Sequence, residues 1–382
     1  MHPVQTDRYV LSGSRRQSWE PRFSYKGFRY VEISSSFAPT HEVVRARSVH
    51  TSVEPAGTFA CSDALFAWLH EATGRTILNN LHGIPTDTPL FEKNGWTADA
   101  HLIAEAAIHQ FDMHLFFRKW LCDLTDAQAD DGGIPVVVPT PGWGASADPC
   151  WSTAHLLIAW NLFEYYADTD LLDEHYAASR KYVEHLHATC RPTGWIWPRF
   201  SYADWLAPGH KFAPEGPKLA ASAFVYLATR RLADIAEVLE HHDDAERYAQ
   251  TAGEIGLAFN RAFLDAASAT YRSAPGEAYR QTSNVLPLAF GLVPGDAAPA
   301  VVANAGCAST SRACDPPARA SKPSRSSHSS TSASRPPASG IGPCAARLPS
   351  PGSARAPASS SISRFRSAPP RWSTSPLATA IW

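Results

Sequence analysis

Several features that mark other protein classes are missing from this 382-residue chain. Met1 to Val10 shows no cationic segment leading into an apolar stretch, and no apolar run approaches the length of a membrane span. The sequence therefore predicts a soluble, cytoplasmic protein. An excess of one charge is also missing: the formal net charge is −2 with acids and bases interspersed, which argues against a nucleic-acid stripe and against a membrane-binding face. Neutral partners are expected, and the oligomeric state is left open. The seven cysteines, Cys61, Cys122, Cys150, Cys190, Cys307, Cys314 and Cys344, are odd in number and form neither a C-x-x-C pair nor a Cys/His ligand cluster. No disulfide framework, metal or cofactor is expected. His241 and His242, followed by Asp243 and Asp244, read as a solvated turn between helices.

What remains is a chain able to bury a large core, with 44% hydrophobic and 11% aromatic residues. It carries twelve tryptophans, and Trp143, Trp195, Trp197 and Trp205 fall in Gly- and Pro-bearing loops rather than in helical stripes. Loop tryptophans can line carbohydrate clefts, because a sugar offers C–H faces to a ring; capping a helix end is the equally common plain role.

Three parts follow in order. Residues 1–55 contain R-F-S-Y-K-G-F-R-Y-V-E-I from Arg22 to Ile33 and a similar stretch from Arg45 to Val53, both rich in aromatic and β-branched residues. Two strands are too few for a sandwich, so this part reads as the remnant of a β-domain. Residues 56–304 switch to helical spacing, with Ser62 placed to cap a first helix through Ala72. Paired helices then follow at Trp96–Gln110 and Asp112–Gln128, Trp151–Tyr166 and Leu171–His187, and Lys218–Leu239 and Ala245–Phe263. Long loops separate the pairs, at 131–150, 191–217 and 271–284, which is how an (α/α) barrel gathers its loops at one end. Without a fixed repeat period, a solenoid is the weaker alternative.

From residue 305 to 382 Ser, Pro, Arg and Ala dominate; Glu277 is the last glutamate and Asp315 the last aspartate. Such a composition buries too little apolar surface to offset ordering entropy, and a disordered tail is expected. A shifted reading frame in a GC-rich gene would produce it, with Leu292-Val293-Pro294 closing the ordinary protein.

The densest chemistry lies in D-T-P-L-F-E-K-N-G-W-T-A-D, Asp87 to Asp99. Cleaving a glycosidic bond takes a carboxylic acid to protonate the leaving oxygen, further carboxylates to grip hydroxyls and an aromatic face against the ring. Pro85 and Pro89 favour an extended loop carrying Asp87 and Glu92, and Gly95 gives way to a helix whose first turn holds Asp99 on the face of Trp96. Ordinary capping acids and a core tryptophan are the plain alternative.

The segment P-T-D-T-P-L-F-E-K-N-G-W-T-A-D-A resembles the signature of bacterial α-L-rhamnosidases, inverting glycoside hydrolases with a six-hairpin barrel. R-F-S-Y-K-G-F-R-Y-V-E-I resembles the strands before that family's catalytic domain, and Y-A-D-W-L-A-P resembles its Gly-Asp-Trp loop, so the likeness runs from about Asp7 to about Asp296. The fold it implies is mainly α: an incomplete (α/α)6 six-hairpin toroid preceded by a remnant of a β-sandwich domain. It implies Glu92 as general acid, Asp87, Asp99 and Asp204 as carboxylates holding rhamnose hydroxyls, and Trp96, Trp151 and Trp205 as aromatic walls, with Trp143 a neighbour able to replace Trp151. The partner it implies is a rhamnose-containing oligosaccharide or glycoside.

Departures from the pattern are Thr88 for Cys, a loop one residue shorter between Asp87 and Glu92, and Ala98 and Ala203 for Gly. The family's water-activating glutamate lies well downstream of the Gly-Asp-Trp loop, in a region where this chain has no glutamate after Glu277. Impaired turnover is expected. A non-catalytic sugar-binding protein and another barrel glycosidase, glucoamylase-like or trehalase-like, are the alternatives.

Overall fold

The structure, a computed structural model, describes residues 5–13, 17–36, 44–312 and 361–366. It is mainly helical, as expected. Helix α1 (Ala64–Leu78) is capped by Asp63, whose side chain accepts the Leu65 N–H, rather than by Ser62. A carboxylate satisfies an orphan N–H there and suits the positive end of the helix.

Hairpins follow. Helices α2 (Thr97–Gln110) and α3 (His114–Asp126) turn through three residues. A single-turn α4 (Pro149–Ser152) leads into α5 (Ala154–Tyr166), which turns into α6 (Thr169–Cys190). Ala167 ends α5 in a left-handed conformation, and the Asp168 side chain caps α6 by accepting the Leu171 N–H at 3.1 Å. Helices α7 (Lys218–Val238) and α8 (His242–Phe263) form the third hairpin, so the His241–Asp244 stretch is a turn running into the first residues of α8.

Helix α5 is apolar nearly all round and α7 is rich in small residues, and both lie inside the assembly. Helix α8 instead buries one stripe, Ala245, Tyr248, Ala252, Ile255, Phe259 and Phe263, at the three- and four-residue spacing of an amphipathic helix. The first helices of successive hairpins are neighbours, α2 beside α5 and α5 beside α7, while α3, α6 and α8 back them. Every long loop therefore enters the N-terminal end of an inner helix.

Two further helices, α9 (Gln281–Ala289) and α10 (Ala298–Arg312), pack on one another, and α9 also meets α7. A two-residue ladder, β2 (Leu264–Asp265) with β3 (Thr270–Tyr271), links α8 to them. Helix α10 runs across residue 305, where a structureless tail was expected to begin. Within that tail, β4 (Ser361–Arg366) pairs antiparallel with β1 (Tyr30–Ser35), Tyr30 opposite Arg366. Residues 313–360 and 367–382, with Asp315, Cys314 and Cys344, lie outside the described residues.

The N-terminal part holds less strand than expected. Among its described residues only Tyr30–Ser35 forms a ladder, and 22–29 and 45–53 do not, because a strand persists only where a partner edge satisfies its backbone. Residues 51–56 follow the helices instead: Thr51 N–H donates to Leu81, and Asp112 and Ala56 exchange backbone hydrogen bonds with Glu54 and Gln110. No helix among the described residues is long and apolar enough to cross a membrane.

Candidate active site

The acid-bearing loop is closed on itself. Asp87 N–H donates to Asn94 O at 3.0 Å, and Asn94 N–H donates back to Asp87 Oδ1 at 2.8 Å. Inside this clasp the Thr88 hydroxyl accepts the N–H groups of both Leu90 and Phe91, each at 3.0 Å. A hydroxyl makes those bonds well and a thiol poorly, which gives the Thr-for-Cys departure a local reason. Lys93 turns the chain with a left-handed φ of 57°. Glu92 lies at the exposed crest, where its Oε2 accepts the Trp96 indole N–H at 2.8 Å.

The base of the loop is fixed to the next one. Val138 N–H donates to Gly95 O and Thr97 N–H to Val136 O, both at 2.9 Å, and Val136, Val137 and Val138 are fully buried. A Cβ on Gly95 would fall 2.0 Å from Val138 O, so only glycine permits this approach. Trp96 is the N-cap residue of α2 rather than its first turn, and Asp99 is the acid of that turn.

Asp87, Glu92 and Asp99 form one electrostatic group. Desolvation, then the charges of Asp87 and Glu92, push the Asp99 carboxyl up to about 6, although water reaches it from the open side. Asp87 is also raised, chiefly by desolvation, against the pull of the Asn94 N–H.

An aromatic cluster adjoins these acids, and its centre is a residue the sequence did not single out. Tyr202 meets Trp96 edge-on at 5.7 Å, Trp151 at 4.9 Å and Trp205 edge-on at 5.3 Å. Trp151 is 6% exposed and belongs to the core, whereas Trp143 is 47% exposed and tilts against Trp96 at 5.7 Å. Of the two, Trp143 offers a free face at the mouth. Phe91, Phe200 and Phe212 are exposed nearby in sequence or by ring contact, and Lys211 lies over Trp205 and Phe212.

Tyr202 is held by a second unforeseen residue. Asp148 is buried; its carboxylate accepts the Cys150 N–H, the Ser201 hydroxyl and the Tyr202 N–H at 2.8–2.9 Å. Burial raises its pKa and those bonds oppose the rise. Its bond to the Cys150 N–H is the local N-cap of α4, whereas the partners that make it hold Tyr202 stand 53 and 54 residues away.

Asp204 takes a different partner, accepting the Thr282 hydroxyl at 2.9 Å. With Ala203, Glu215 and Thr282 it lines a cavity of about 10 Å³, room for a water and not for a sugar ring. The structure thus gathers Glu92, Asp87, Asp99 and Trp96, sets Trp205 beside them through Tyr202, places Trp151 behind them, and turns Asp204 toward α9.

The N-terminal part also reaches this loop. Lys93 Nζ donates to Tyr25 O at 2.7 Å and lies 4.3 Å above the Tyr25 ring, which stacks on His82 at 3.6 Å. Gly27 backs onto Pro89 so closely that a Cβ would come within 2.9 Å of its carbonyl oxygen.

Residues 54–313 match the bacterial alpha-L-rhamnosidase 6 hairpin glycosidase domain, and residues 2–50 the concanavalin-like domain of the same proteins. An alpha-L-rhamnosidase of Formosa agariphila is 32% identical over 280 residues, 68% of this chain and 29% of that protein. One from Streptomyces avermitilis is 30% identical over 266 residues, 68% of this chain and 25% of that one. Among solved structures, the alpha-L-rhamnosidase of Dictyoglumus thermophilum superposes with a TM-score of 0.66 at 39% identity, covering 70% of this chain and 30% of that one. The Streptomyces avermitilis enzyme complexed with L-rhamnose gives 0.71 at 28% identity, covering 80% and 29%. The chain spans less than a third of the length of these curated relatives. Matched to the six-hairpin glycosidase domain over more than half its length, the chain belongs to the bacterial α-L-rhamnosidase family of glycoside hydrolases.

Proposed function

We propose that this protein acts on terminal α-L-rhamnosides, with Glu92 as the general acid. The observation that carries the reading is the Trp96–Glu92 hydrogen bond beside Asp87 and Asp99. Trp96 occupies Oε2, which leaves Oε1 to hold the proton delivered to the departing glycosidic oxygen. Asp87 and Asp99, acceptors when ionised, bind hydroxyls of the sugar, and Trp96 and Trp143 offer faces to its C–H side. Asp204, Trp151 and Trp205 support the pocket from behind and beside it. The relative solved with L-rhamnose supports the choice of sugar.

Inversion needs a second carboxylate about 6.5–9.5 Å from the acid to activate water. No glutamate follows Glu277 in this sequence. We infer that turnover by this chain is lowered by about 10²–10⁴, the usual contribution of a general base, while binding persists.

The test is tryptophan fluorescence with L-rhamnose, followed by hydrolysis of an aryl α-L-rhamnoside and an aryl glucoside. Saturable quenching by L-rhamnose, with slow rhamnoside hydrolysis lost in Glu92→Gln, is expected. Binding with no hydrolysis at all would make the chain a sugar binder, and faster cleavage of the glucoside would overturn the substrate assignment.

A further inference from the structure

Away from the sugar cleft, the outer helices α3 and α6 meet at a second cluster of reactive side chains. Donor atoms of Cys122 on α3 and of Glu174 and His175 on α6 all lie within 4.8 Å of one another. We propose that these three residues bind a thiophilic divalent cation of the zinc type, with water as fourth ligand, fastening the first hairpin to the second.

The imidazole is the observation that points to an ion. His175 is only 3% exposed, its Nδ1 meets the Thr125 hydroxyl at 2.9 Å, and its Nε2 is buried with no hydrogen-bond partner. A buried ring nitrogen left unpaired is costly unless something other than a protein group satisfies it.

The neighbours permit the tautomer that a ligand needs. Thr125 Oγ1 lies 3.1 Å from His155 Nε2 as well, and one hydroxyl has one proton to give. When it donates to His155 it accepts Nδ1–H from His175, and the lone pair of His175 Nε2 is free. That is the orientation in which a metal-bound histidine is normally held, its other nitrogen donating to a fixed oxygen.

The other two donors complete the set. Glu174 Oε2 accepts from Arg118 Nη2 at 2.7 Å, which leaves Oε1 for the ion, and Arg118 Nη1 also donates to Asp168 Oδ2 at 2.6 Å. Arg118 therefore keeps a counter-charge when Glu174 turns inward. The Cys122 thiol would lose its proton to solvent as the sulfur–metal bond forms, so that thiolate and carboxylate balance the two positive charges. Sulfur and nitrogen bonds of about 2.3 and 2.0 Å draw the donors closer than they now stand, a shift within reach of the half-buried Cys122 and the exposed Glu174. Their exposure also gives the ion its entry path. Sequence spacing concealed the cluster, since Cys122 and His175 stand far apart in the chain and share no short motif.

Cobalt(II) titration of the chelator-treated full chain tests this, because a thiolate bound to cobalt absorbs in the near-ultraviolet. The expected result is a band that saturates at one ion per chain, is bleached by zinc, and disappears in Cys122→Ser. Glu174→Gln, at an exposed position that leaves the fold intact, should weaken zinc binding by roughly tenfold or more and remove the rise in thermal midpoint that zinc gives the parent chain. A parent chain with no saturating band, a band that survives Cys122→Ser, or unchanged zinc affinity in Glu174→Gln would each overturn the proposal.

Discussion

Two loops carry the candidate chemistry, and they are held by different means. The loop from Asp87 to Trp96 is clasped by one backbone bond and one carboxylate bond between Asp87 and Asn94, and closes onto Val138 through a glycine that admits no side chain. The loop from Ser201 to Leu206 rests on a single buried carboxylate, Asp148, and bends through left-handed conformations at Ala203, φ 51°, and Leu206, φ 57°. Each loop contains left-handed non-glycine residues, Lys93 in the first and Ala203 and Leu206 in the second, so what separates them is the anchor: a close main-chain junction with Val138 in one and a buried carboxylate in the other.

The largest effect should come from breaking the junction of the first loop with Val138. Gly95→Ala drives a methyl into the Val138 carbonyl and should cost about 3 kcal/mol or more in urea unfolding, with loss of rhamnose binding. If the variant is as stable as the parent, the two loops are not locked together as described. Next comes Asp148→Ala, which strands the Ser201 hydroxyl and the Tyr202 and Cys150 N–H groups; about 2 kcal/mol is expected, with Trp205 fluorescence shifted because Tyr202 loses its anchor.

A smaller effect is tied to pH. The Asp99 carboxyl is raised to about 6 in the folded protein, so between the ordinary carboxylate range and pH 6 the native state holds a proton that the unfolded chain has lost. Stability should therefore fall as pH rises through that window, and Asp87, shifted the same way, adds to the fall. Asp99→Asn should flatten the slope and stabilise the chain at pH 7 by about 1 kcal/mol, a figure kept low because water reaches the group. Below pH 4 the two proteins should unfold alike; a difference persisting there would assign the effect to packing. The smallest change is Ala203→Gly. Relief of the left-handed alanine, less the added freedom of the unfolded chain, should raise stability by about 0.5 kcal/mol, whereas a loss would show that the Ala203 methyl contributes packing.

The legibility of the sequence followed the same division. Helices α2, α3 and α5 to α8 could be read from apolar spacing, and the Asp87–Asp99 segment from its residue types, since both signals are local. Helix α9, with Pro287 inside it, and the alanine-rich α10 present no such stripe. The strand expected over Arg45–Val53 did not form, because ladder pairing depends on what lies beside a segment and not on its own composition. Tyr25, Tyr202 and Asp148 escaped notice for a related reason: each has decisive partners distant in the chain, and a single aromatic or acidic residue in a loop carries no periodic mark. Trp143 and Trp151 show the limit most plainly. Both were visible as candidates, and only burial separates the ring that faces solvent from the one that faces the core.

The central claim is that Glu92 delivers a proton to the departing oxygen, and the leaving-group dependence of hydrolysis tests it most directly. On aryl α-L-rhamnosides graded from phenol to dinitrophenol, Glu92→Gln should lose most of its rate with the poorest leaving group and little with the best, which needs no proton. An equal loss across the series, or none, would contradict the assignment of Glu92 as the acid.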